Sequence, residues 1–152
     1  MQHRAHDPDR ALLEVSGEDT RSFLQGLITG DIEAVTPEKA IWAALLTPQG
    51  KYLFDFFVFE DNGAVVLDVH KSRAADLLKR LKLYKLRAKV AVADVSDRYA
   101  VSYLWGETPE AAAGTAQRDG DVLLVADPRH AGLGYREFAP TAAPSTASLE
   151  AY

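Results

Sequence analysis

The sequence predicts an α+β fold in which an antiparallel sheet carries a helix on one face. The first observation is the order of patterns in residues 41–93, which is strand, strand, strand, helix, strand with short connections. Short connections favour antiparallel neighbours, because parallel strands need long crossovers. The second observation is composition: 47% of the 152 residues are hydrophobic and 26% are charged, which is typical of a globular chain with a packed core.

The first elements are a short strand and a helix. Residues 11–15 are apolar enough for a strand, and Ser16 followed by Asp19 has the spacing of a helix capping box. We therefore expect a helix over residues 18–29, ended by Gly30. The apolar side chains that recur in it at helical spacing are Phe23, Leu24, Leu27 and Ile28.

Three strands joined by turns should follow. Residues 41–46 form a continuous apolar run, and Thr47-Pro48-Gln49-Gly50 supplies turn residues after it. Residues 51–59 are rich in aromatic side chains, which favour strands. Asp61-Asn62-Gly63 then predicts a tight hairpin into a third strand over residues 64–69.

The clearest helix covers residues 71–86, because apolar residues recur there every three or four positions. The remaining predicted elements are strands over 87–93, 99–105, 121–126 and 134–138 and an alanine-rich helix over 107–116. We expect residues 1–138 to form one region with a core subdomain at about 40–94. Residues 139–152 are low in apolar bulk and predict a linker with the start of a further segment.

Charge and cysteine content exclude several classes of function. The net charge of −5 argues against a nucleic-acid binder, and no apolar run is long enough to span a membrane. The absence of cysteine excludes thiolate catalysis and cysteine-ligated metal in this chain, and no other metal site is expected. A cytoplasmic setting fits these totals best. Eight of the 17 basic residues lie in residues 71–89, either as a solvated helix face or as a site for an anionic ligand or partner.

Asp55 is the most informative single residue. On a strand it shares a face with Leu53, Phe57 and Phe59. A carboxylate among apolar neighbours must be paired, bind a ligand or shift its pKa upward. The alternatives are that this face is solvated or that Asp55 pairs with a nearby basic residue.

A second group of polar residues lies around the first predicted helix. Gln25 lies inside it, and Thr29 and Asp31 lie at its end, where a plain C-cap loop is the alternative to a site. Lys51 follows the turn before the aromatic strand and is either a strand-end lysine or a ligand contact. No catalytic motif is present, so the residues by themselves indicate a soluble α+β ligand-binding domain.

Three segments, in order and spacing, resemble the YgfZ/GcvT-like family. Residues 13–31 resemble its V-S-G-x-D-x-x-x-F-L-Q-x-L-x-T-x-D opening, and residues 46–55 resemble its x-T-P-x-G-K hairpin with an acid following. Residues 77–90 are similar to its L-x-x-L-x-x-Y-x-L-R-x-K-V passage from helix to strand. The resemblance is good over about residues 10–105 and weak beyond them.

The resemblance implies ferredoxin-like α+β pieces around a cavity that binds tetrahydrofolate. It implies that Asp55 takes the pterin edge, with Lys51 and Asp31 lining the site and Thr29 and Gln25 nearby. Within the family, the YgfZ branch assists assembly or repair of iron–sulfur enzymes, which would then be partners. The GcvT branch is an aminomethyltransferase with two adjacent acids after the hairpin. Here the pair is Phe54-Asp55, so the aminomethyltransferase is the alternative and no catalytic residue is assigned.

The resemblance also predicts which part of the family's sequence this chain covers. The K-G-C-Y-x-G-Q-E type segment of the YgfZ branch belongs further along than residue 152, so we expect this chain to correspond to the N-terminal portion of the family. A third possibility, from a different class of function, is an interaction module that is not catalytic and binds no folate.

Overall fold

The computed structural model describes residues 3–47, 49–106 and 109–141. In chain order its strands are β1 (His3–His6), β2 (Arg10–Ser16), β3 (Ile41–Leu46), β4 (Tyr52–Asp61), β5 (Ala64–His70), β6 (Ala91–Asp94), β7 (Tyr99–Trp105), β8 (Ala116–Asp119), β9 (Val122–Ala126) and β10 (Tyr135–Pro140). Its α-helices are α1 (Thr20–Gln25) and α2 (Lys71–Tyr84). Short 3₁₀ turns cover Ile32–Ala34 and Ala131–Leu133.

The chain forms two compact units. The central unit is Asp9–Val95, and the terminal unit combines Met1–Pro8 with Ser96–Tyr152. Each unit has its own five-stranded antiparallel sheet, in the order β3-β4-β5-β2-β6 in the central unit and β1-β7-β10-β9-β8 in the terminal unit. The predicted α+β class is confirmed, and the predicted core subdomain at about 40–94 lies within the central unit.

One face of the central sheet is covered by α2 and forms the apolar core. Alternate residues of every strand point to this face, because successive side chains on a strand point to opposite sides. From α2, Ala74, Leu77 and Leu81 enter the core at helical spacing. The strand residues that meet them include Leu13, Val15, Phe54, Phe56, Val58, Leu67 and Val69. The prediction of a helix on one sheet face is therefore correct in its details.

The hairpin between β4 and β5 is also confirmed. Asn62 and Gly63 have φ values of 51° and 84°. Positive φ at both central residues is the geometry of the two-residue turn whose twist matches that of the flanking strands. Asparagine and glycine tolerate this geometry best, which explains why the turn was visible in the sequence.

The first helix is shorter than predicted, and the prediction of a capping box at Ser16 is wrong. α1 ends at Gln25, and Asp19 rather than Ser16 is at its N-cap, without a side-chain cap bond. The Asp19 carboxylate instead accepts a hydrogen bond from the backbone N–H of Lys89, at 2.8 Å. A Cβ on Gly17 would lie 2.3 Å from the Lys89 carbonyl oxygen, so the close approach of these two segments requires glycine there.

The terminal unit departs most from the prediction. Residues 109–115 are turns and bends where a helix over 107–116 was expected, and Ala116 is buried at the start of β8. Residues 107–108 lie outside the described residues. The positive φ of Gly114, 86°, does not continue a helix. Strands β1 and β8 were not predicted, because both are short and mostly polar. Strand β10 extends to Pro140, and most of the predicted linker, residues 142–152, lies outside the described residues, as does Pro48 of the turn before β4.

Candidate functional site

The side of the central sheet opposite α2 carries the candidate site at strands β3 and β4. We call the side chains of Trp42, Ala44, Asp55 and Phe57 the β3–β4 face. Ala44 lies directly opposite Asp55, and Trp42 lies directly opposite Phe57. Their sequence neighbours Ala43, Phe54 and Phe56 belong to the apolar core, so the four side chains point to the other side.

Asp55 is partly buried, and its carboxylate has no hydrogen-bond or ion-pair partner among the described residues. It lies in β4 between the core residues Phe54 and Phe56. Two oxygens with no partner can accept two parallel hydrogen bonds from a planar donor pair. This geometry suits a ligand better than a structural role, because a structural carboxylate in a sheet normally has a cation or N–H donors.

Trp42 is a residue of this face that the sequence analysis missed. Its side chain is 48% exposed, although a large aromatic ring in a strand normally contributes to a core. It is the diagonal neighbour of Asp55, at about 7–8 Å between backbone positions, which an indole ring spans easily. Phe57, opposite Trp42, is almost fully buried. An exposed ring and a buried ring on paired strands, beside a carboxylate without a partner among the described residues, offer an apolar surface for a flat ring. The aromatic cue was present in the sequence, but its exposure was not.

A buried ion pair between β2 and β5 lies beside this face, next to Phe57. Nε of Arg10 donates to Oδ1 of Asp68 at 2.8 Å, and its Nη2 donates to the Asp68 backbone carbonyl at 2.9 Å. The Arg10 guanidinium lies 5.7 Å from the centre of the Phe57 ring, and Asp68 pairs with Phe57 in the sheet register. This pair satisfies the charge of Asp68, whereas the carboxylate of Asp55 has no such partner among the described residues.

The residues predicted around the first helix are used in the local structure. Oε1 of Gln25 accepts from the N–H of Ile32, and Oδ1 of Asp31 accepts from the N–H of Glu33. Both bonds hold the 3₁₀ turn that follows α1. A ligand role for Gln25 and Asp31 stays a prediction, and their present partners fit a positioning role better.

Thr29 connects this turn to the β3–β4 face. Its backbone N–H donates to the carbonyl of Ala44, and its Oγ1 accepts from the Ala44 N–H, both at 2.8 Å. Thr29 thus extends the edge of β3 at the register level of Asp55. Thr29 and Asp55 thus lie on opposite sides of Ala44 in the sheet, and a ligand role for Thr29 stays a prediction.

Lys51 is exposed, and its ammonium group has no partner among the described residues. Four strand positions separate it from Asp55, a distance of roughly 13 Å. At that distance Lys51 and Asp55 do not contact the same chemical group, and a ligand role for Lys51 stays a prediction. Leu53 was expected beside Asp55 but packs against the core, because the β3–β4 register shifts between Leu45 and Leu46.

The terminal unit has a polar network of its own. Arg136 is buried with its guanidinium 4.9 Å from the centre of the Tyr103 ring, and Tyr103 Oη donates to Asp7. Burial, followed by the hydrogen bond to Asp7, raises the pKa of Tyr103. Burial alone would raise the pKa of Asp127, but hydrogen bonds from Arg129 outweigh it and lower that pKa below its ordinary value. The contact between Arg136 and Tyr103 joins the paired strands β10 and β7.

The described residues contain no cluster of three or more His, Cys, Asp or Glu that could hold a metal ion. Nor does that part of the chain contain a helix long and apolar enough to cross a membrane.

His3, at the start of β1, stacks on Trp105 at 5.4 Å between ring centres.

The fold defines the class of protein. The glycine cleavage system aminomethyltransferase T from Bartonella henselae superposes on 99% of this chain and 44% of its own, with a TM-score of 0.79 and 13% sequence identity. At that identity the likeness shows the fold alone: two α+β units of the aminomethyltransferase type.

Sequence relatives narrow the class to a family. The chain is 31% identical over 142 residues to the iron-sulfur cluster assembly factor IBA57 homolog, mitochondrial, of Mycosarcoma maydis, covering 85% of this chain and 34% of the relative. It is 31% identical over 143 residues to IBA57, mitochondrial, of Mus musculus, covering 84% of this chain and 40% of the relative. A scan against models of protein families found no match. The chain belongs to the YgfZ/GcvT-like family, and it spans between a third and two fifths of the length of these relatives.

The comparisons correct one prediction. A cytoplasmic setting was expected from composition, but the relatives are named as mitochondrial proteins, which contradicts it. Composition and the absence of cysteine carry little information about compartment, since reduced thiols are found both in the cytoplasm and in mitochondria.

Proposed function

We propose that this chain is a tetrahydrofolate-binding part of an accessory protein for iron–sulfur cluster assembly or repair. The observation that carries the folate part is Asp55, a carboxylate without a partner among the described residues, beside the exposed ring of Trp42. The assembly role is supported by the names of the relatives, whose lengths the chain covers only in part. Iron–sulfur proteins are the partners that this role implies.

The chemistry of a pterin fits the β3–β4 face. Its pyrimidine edge presents a ring N–H and an exocyclic amino group side by side, which are two donors for the two oxygens of Asp55. Its flat bicyclic ring has the area to stack on Trp42, which covers an apolar surface at low entropic cost. The anionic glutamate tail lies at the other end of the folate, where Lys51 offers a positive charge.

The iron–sulfur cluster is cargo in this proposal and has no thiolate ligand in these 152 residues. The 152 residues contain no cysteine, so thiolate ligands for a cluster must come from outside them. The contribution of this chain is therefore to bind the folate and to orient it on the sheet.

The residue at position 54, a buried phenylalanine, argues against the aminomethyltransferase alternative. Where that branch places a second acid, Phe54 is 2% exposed, points into the core and has the Arg73 guanidinium 4.5 Å from its ring centre. A carboxylate at that position would be buried on the wrong side of the sheet. One carboxylate then has to bind the ligand and manage a proton, and loss of a general acid or base typically costs 10²–10⁴-fold in rate.

Calorimetric titration with tetrahydrofolate under anaerobic conditions tests the proposal. We expect saturable binding by the wild-type protein and a loss of roughly tenfold or more in Asp55→Asn, because an amide supplies one acceptor where the carboxylate supplies two. Glu38→Gln is the matched control, since Glu38 is exposed and its carboxylate has no partner in the described structure. Trp42→Ala should weaken binding by several-fold through lost stacking.

The outcomes separate the alternatives. Unchanged affinity in Asp55→Asn would remove Asp55 from the site, while the family assignment would remain. Absence of saturable binding by the wild-type protein would favour the interaction module without folate. Turnover that depends on a lipoyl carrier protein would favour the aminomethyltransferase.

A further inference from the structure

A patch of mixed apolar and basic character lies at the C-terminal end of α2, far from the β3–β4 face. It consists of Lys79, Lys82, Leu83, Leu86 and Arg87, and we call it the Leu86 patch. Leu83 is 61% exposed and Leu86 is 87% exposed, which makes Leu86 the most exposed of the large hydrophobic residues described. An isolated exposed leucine is ordinary, but two neighbouring ones among cations form a surface of distinct chemistry.

The backbone of Leu86 is unusual for its residue type. Its φ is 43°, one of two positive values among the described non-glycine residues, the other being Asn62 in the hairpin. A helix commonly ends with a residue of positive φ just beyond it, and glycine is preferred there because a Cβ is strained. Here a leucine takes that conformation and still exposes its side chain, so packing in the central unit does not compensate the strain.

The segment that carries Leu86 is held in place. The N–H of Lys85 donates to the carbonyl of Leu81, and the Lys85 ammonium contacts the Val90 carbonyl at 3.3 Å. Lys89 is fixed through its backbone N–H by the Asp19 carboxylate and through its carbonyl by the Asp19 N–H. Leu86 is therefore presented by a braced turn, and little ordering entropy would be lost when a partner contacts it.

The charges around the two leucines have one sign. In the described structure no acidic side chain pairs with Lys79, Lys82 or Arg87. Residues 71–89 contain eight basic residues and one acidic residue, which leaves nine basic and 21 acidic residues elsewhere. Concentration of positive charge on one element of an acidic chain creates a local potential that attracts acidic surfaces.

The geometry points to a protein as the occupant. We propose that the Leu86 patch docks an acidic protein that takes the two leucines into an apolar pocket and pairs its carboxylates with the three cations. Two exposed leucines with three cations on the same segment have the apolar centre and polar surroundings of a protein interface. An anionic membrane is less suited, because the apolar area is small and the remainder of the chain is strongly negative.

This inference does not rest on folate binding. The β3–β4 face and α2 lie on opposite sides of the central sheet, so a folate held at Asp55 does not extend its tail to the patch. Failure of either proposal therefore leaves the other standing.

Fluorescence anisotropy with labelled synthetic peptides tests the docking surface. The probe is a short peptide of mixed glutamate and leucine, compared with a peptide in which serine replaces leucine and one in which glutamine replaces glutamate. We expect saturable binding of the mixed peptide only, weakening as salt rises from about 50 to 500 mM. Lys82→Glu with Arg87→Glu should reduce its affinity by about tenfold or more.

Two control variants are matched to the test variants, one in the change of charge and one in the loss of an exposed leucine. Lys39→Glu with Lys71→Glu makes the same change in net charge at two exposed lysines outside the patch and should leave peptide binding within about twofold. Leu133→Ser removes an exposed leucine of the terminal unit, 53% exposed, and should have no effect on binding. Leu86→Gly should weaken peptide binding yet raise the thermal midpoint, because glycine relieves the positive φ. A purely structural leucine would lower that midpoint.

Several results would overturn the proposal. They are absence of mixed-peptide binding, binding unchanged in both the charge-reversal variant and Leu86→Gly, or equal binding of the serine peptide. Binding to phosphatidylserine vesicles, lost in the same variants while the peptides do not bind, would assign the patch to a membrane surface instead.

Discussion

The central and terminal units are both built on five antiparallel strands, yet different interactions fill their interiors. The central unit has a continuous apolar cluster that α2 closes with Leu77 and Leu81. The terminal unit has a smaller set of buried apolar residues, including Leu123, Val125 and Phe138, and it also buries the polar residues Arg136, Glu137 and Ser102 in its sheet. The comparison teaches that one sheet architecture can be stabilised by a large apolar cluster or by a smaller apolar set that buried charges and hydrogen bonds supplement.

The largest effect should come from the core of the central unit. Leu67 is fully buried on β5, and Leu67→Ala should lower the free energy of unfolding by about 2–5 kcal/mol, through lost transfer energy and a residual cavity. Trp42 and Trp105 are the two tryptophans of the chain, one in each unit. Urea unfolding of the Trp105→Phe background therefore reports the central unit alone. A loss below about 1 kcal/mol would show that the core repacks around the gap.

An intermediate effect is expected in the terminal unit. Tyr103→Phe removes the hydroxyl that donates to Asp7 and keeps the ring beneath Arg136. We expect a loss of about 1–3 kcal/mol, because a hydrogen bond to a charged acceptor disappears. Unfolding of the Trp42→Phe background, which Trp105 reports, provides the measurement.

Tyr135→Phe is the control, since Tyr135 lies on the neighbouring strand β10 and its hydroxyl has no partner among the described residues. If both tyrosine variants lose the same stability, the polar network is not what distinguishes the terminal unit, and the comparison between the units fails.

The smallest effect concerns acid stability. The pKa of Asp127 is lower in the folded protein than its ordinary value of 3.8, so the unfolded chain takes up the proton first. The stabilisation by Asp127 is present above pH 4 and is lost as the pH falls through the folded pKa. Asp127→Asn should flatten this acid dependence in the Trp105 signal. An unaltered slope in that variant would assign the acid sensitivity to other carboxylates.

The difference between the units also explains how far the sequence predicted the fold. The elements of the central unit were found within a few residues, because apolar spacing in α2 and the Asn62-Gly63 turn report local geometry directly. The terminal unit was less predictable. Strands β1 and β8 are polar and short, and they become strands only through pairing. Strand β1 pairs with β7, which is distant along the chain, and β8 pairs with β9, which is adjacent.

The candidate site shows the same division. Asp55 and its strand were predicted from a carboxylate between aromatic residues. The exposure of Trp42 was not predictable, because an apolar run gives no information about which of its residues lies on the open side of a sheet. The family resemblance implied ligand roles for Gln25 and Asp31, and their hydrogen bonds to backbone N–H groups appear only when the chain folds back on itself.

The sequence by itself determined the class of fold, the hairpin, the helix α2 and the family, since each depends on residue types at fixed short spacings. Tertiary structure decided which charges are used and which remain open. Asp68 is matched by Arg10 from another strand, whereas Asp55, on the strand between β3 and β5, has no such partner in the described part of the chain. The physical reason is that the pairing of a charge depends on distances between segments far apart in sequence, which local patterns do not encode.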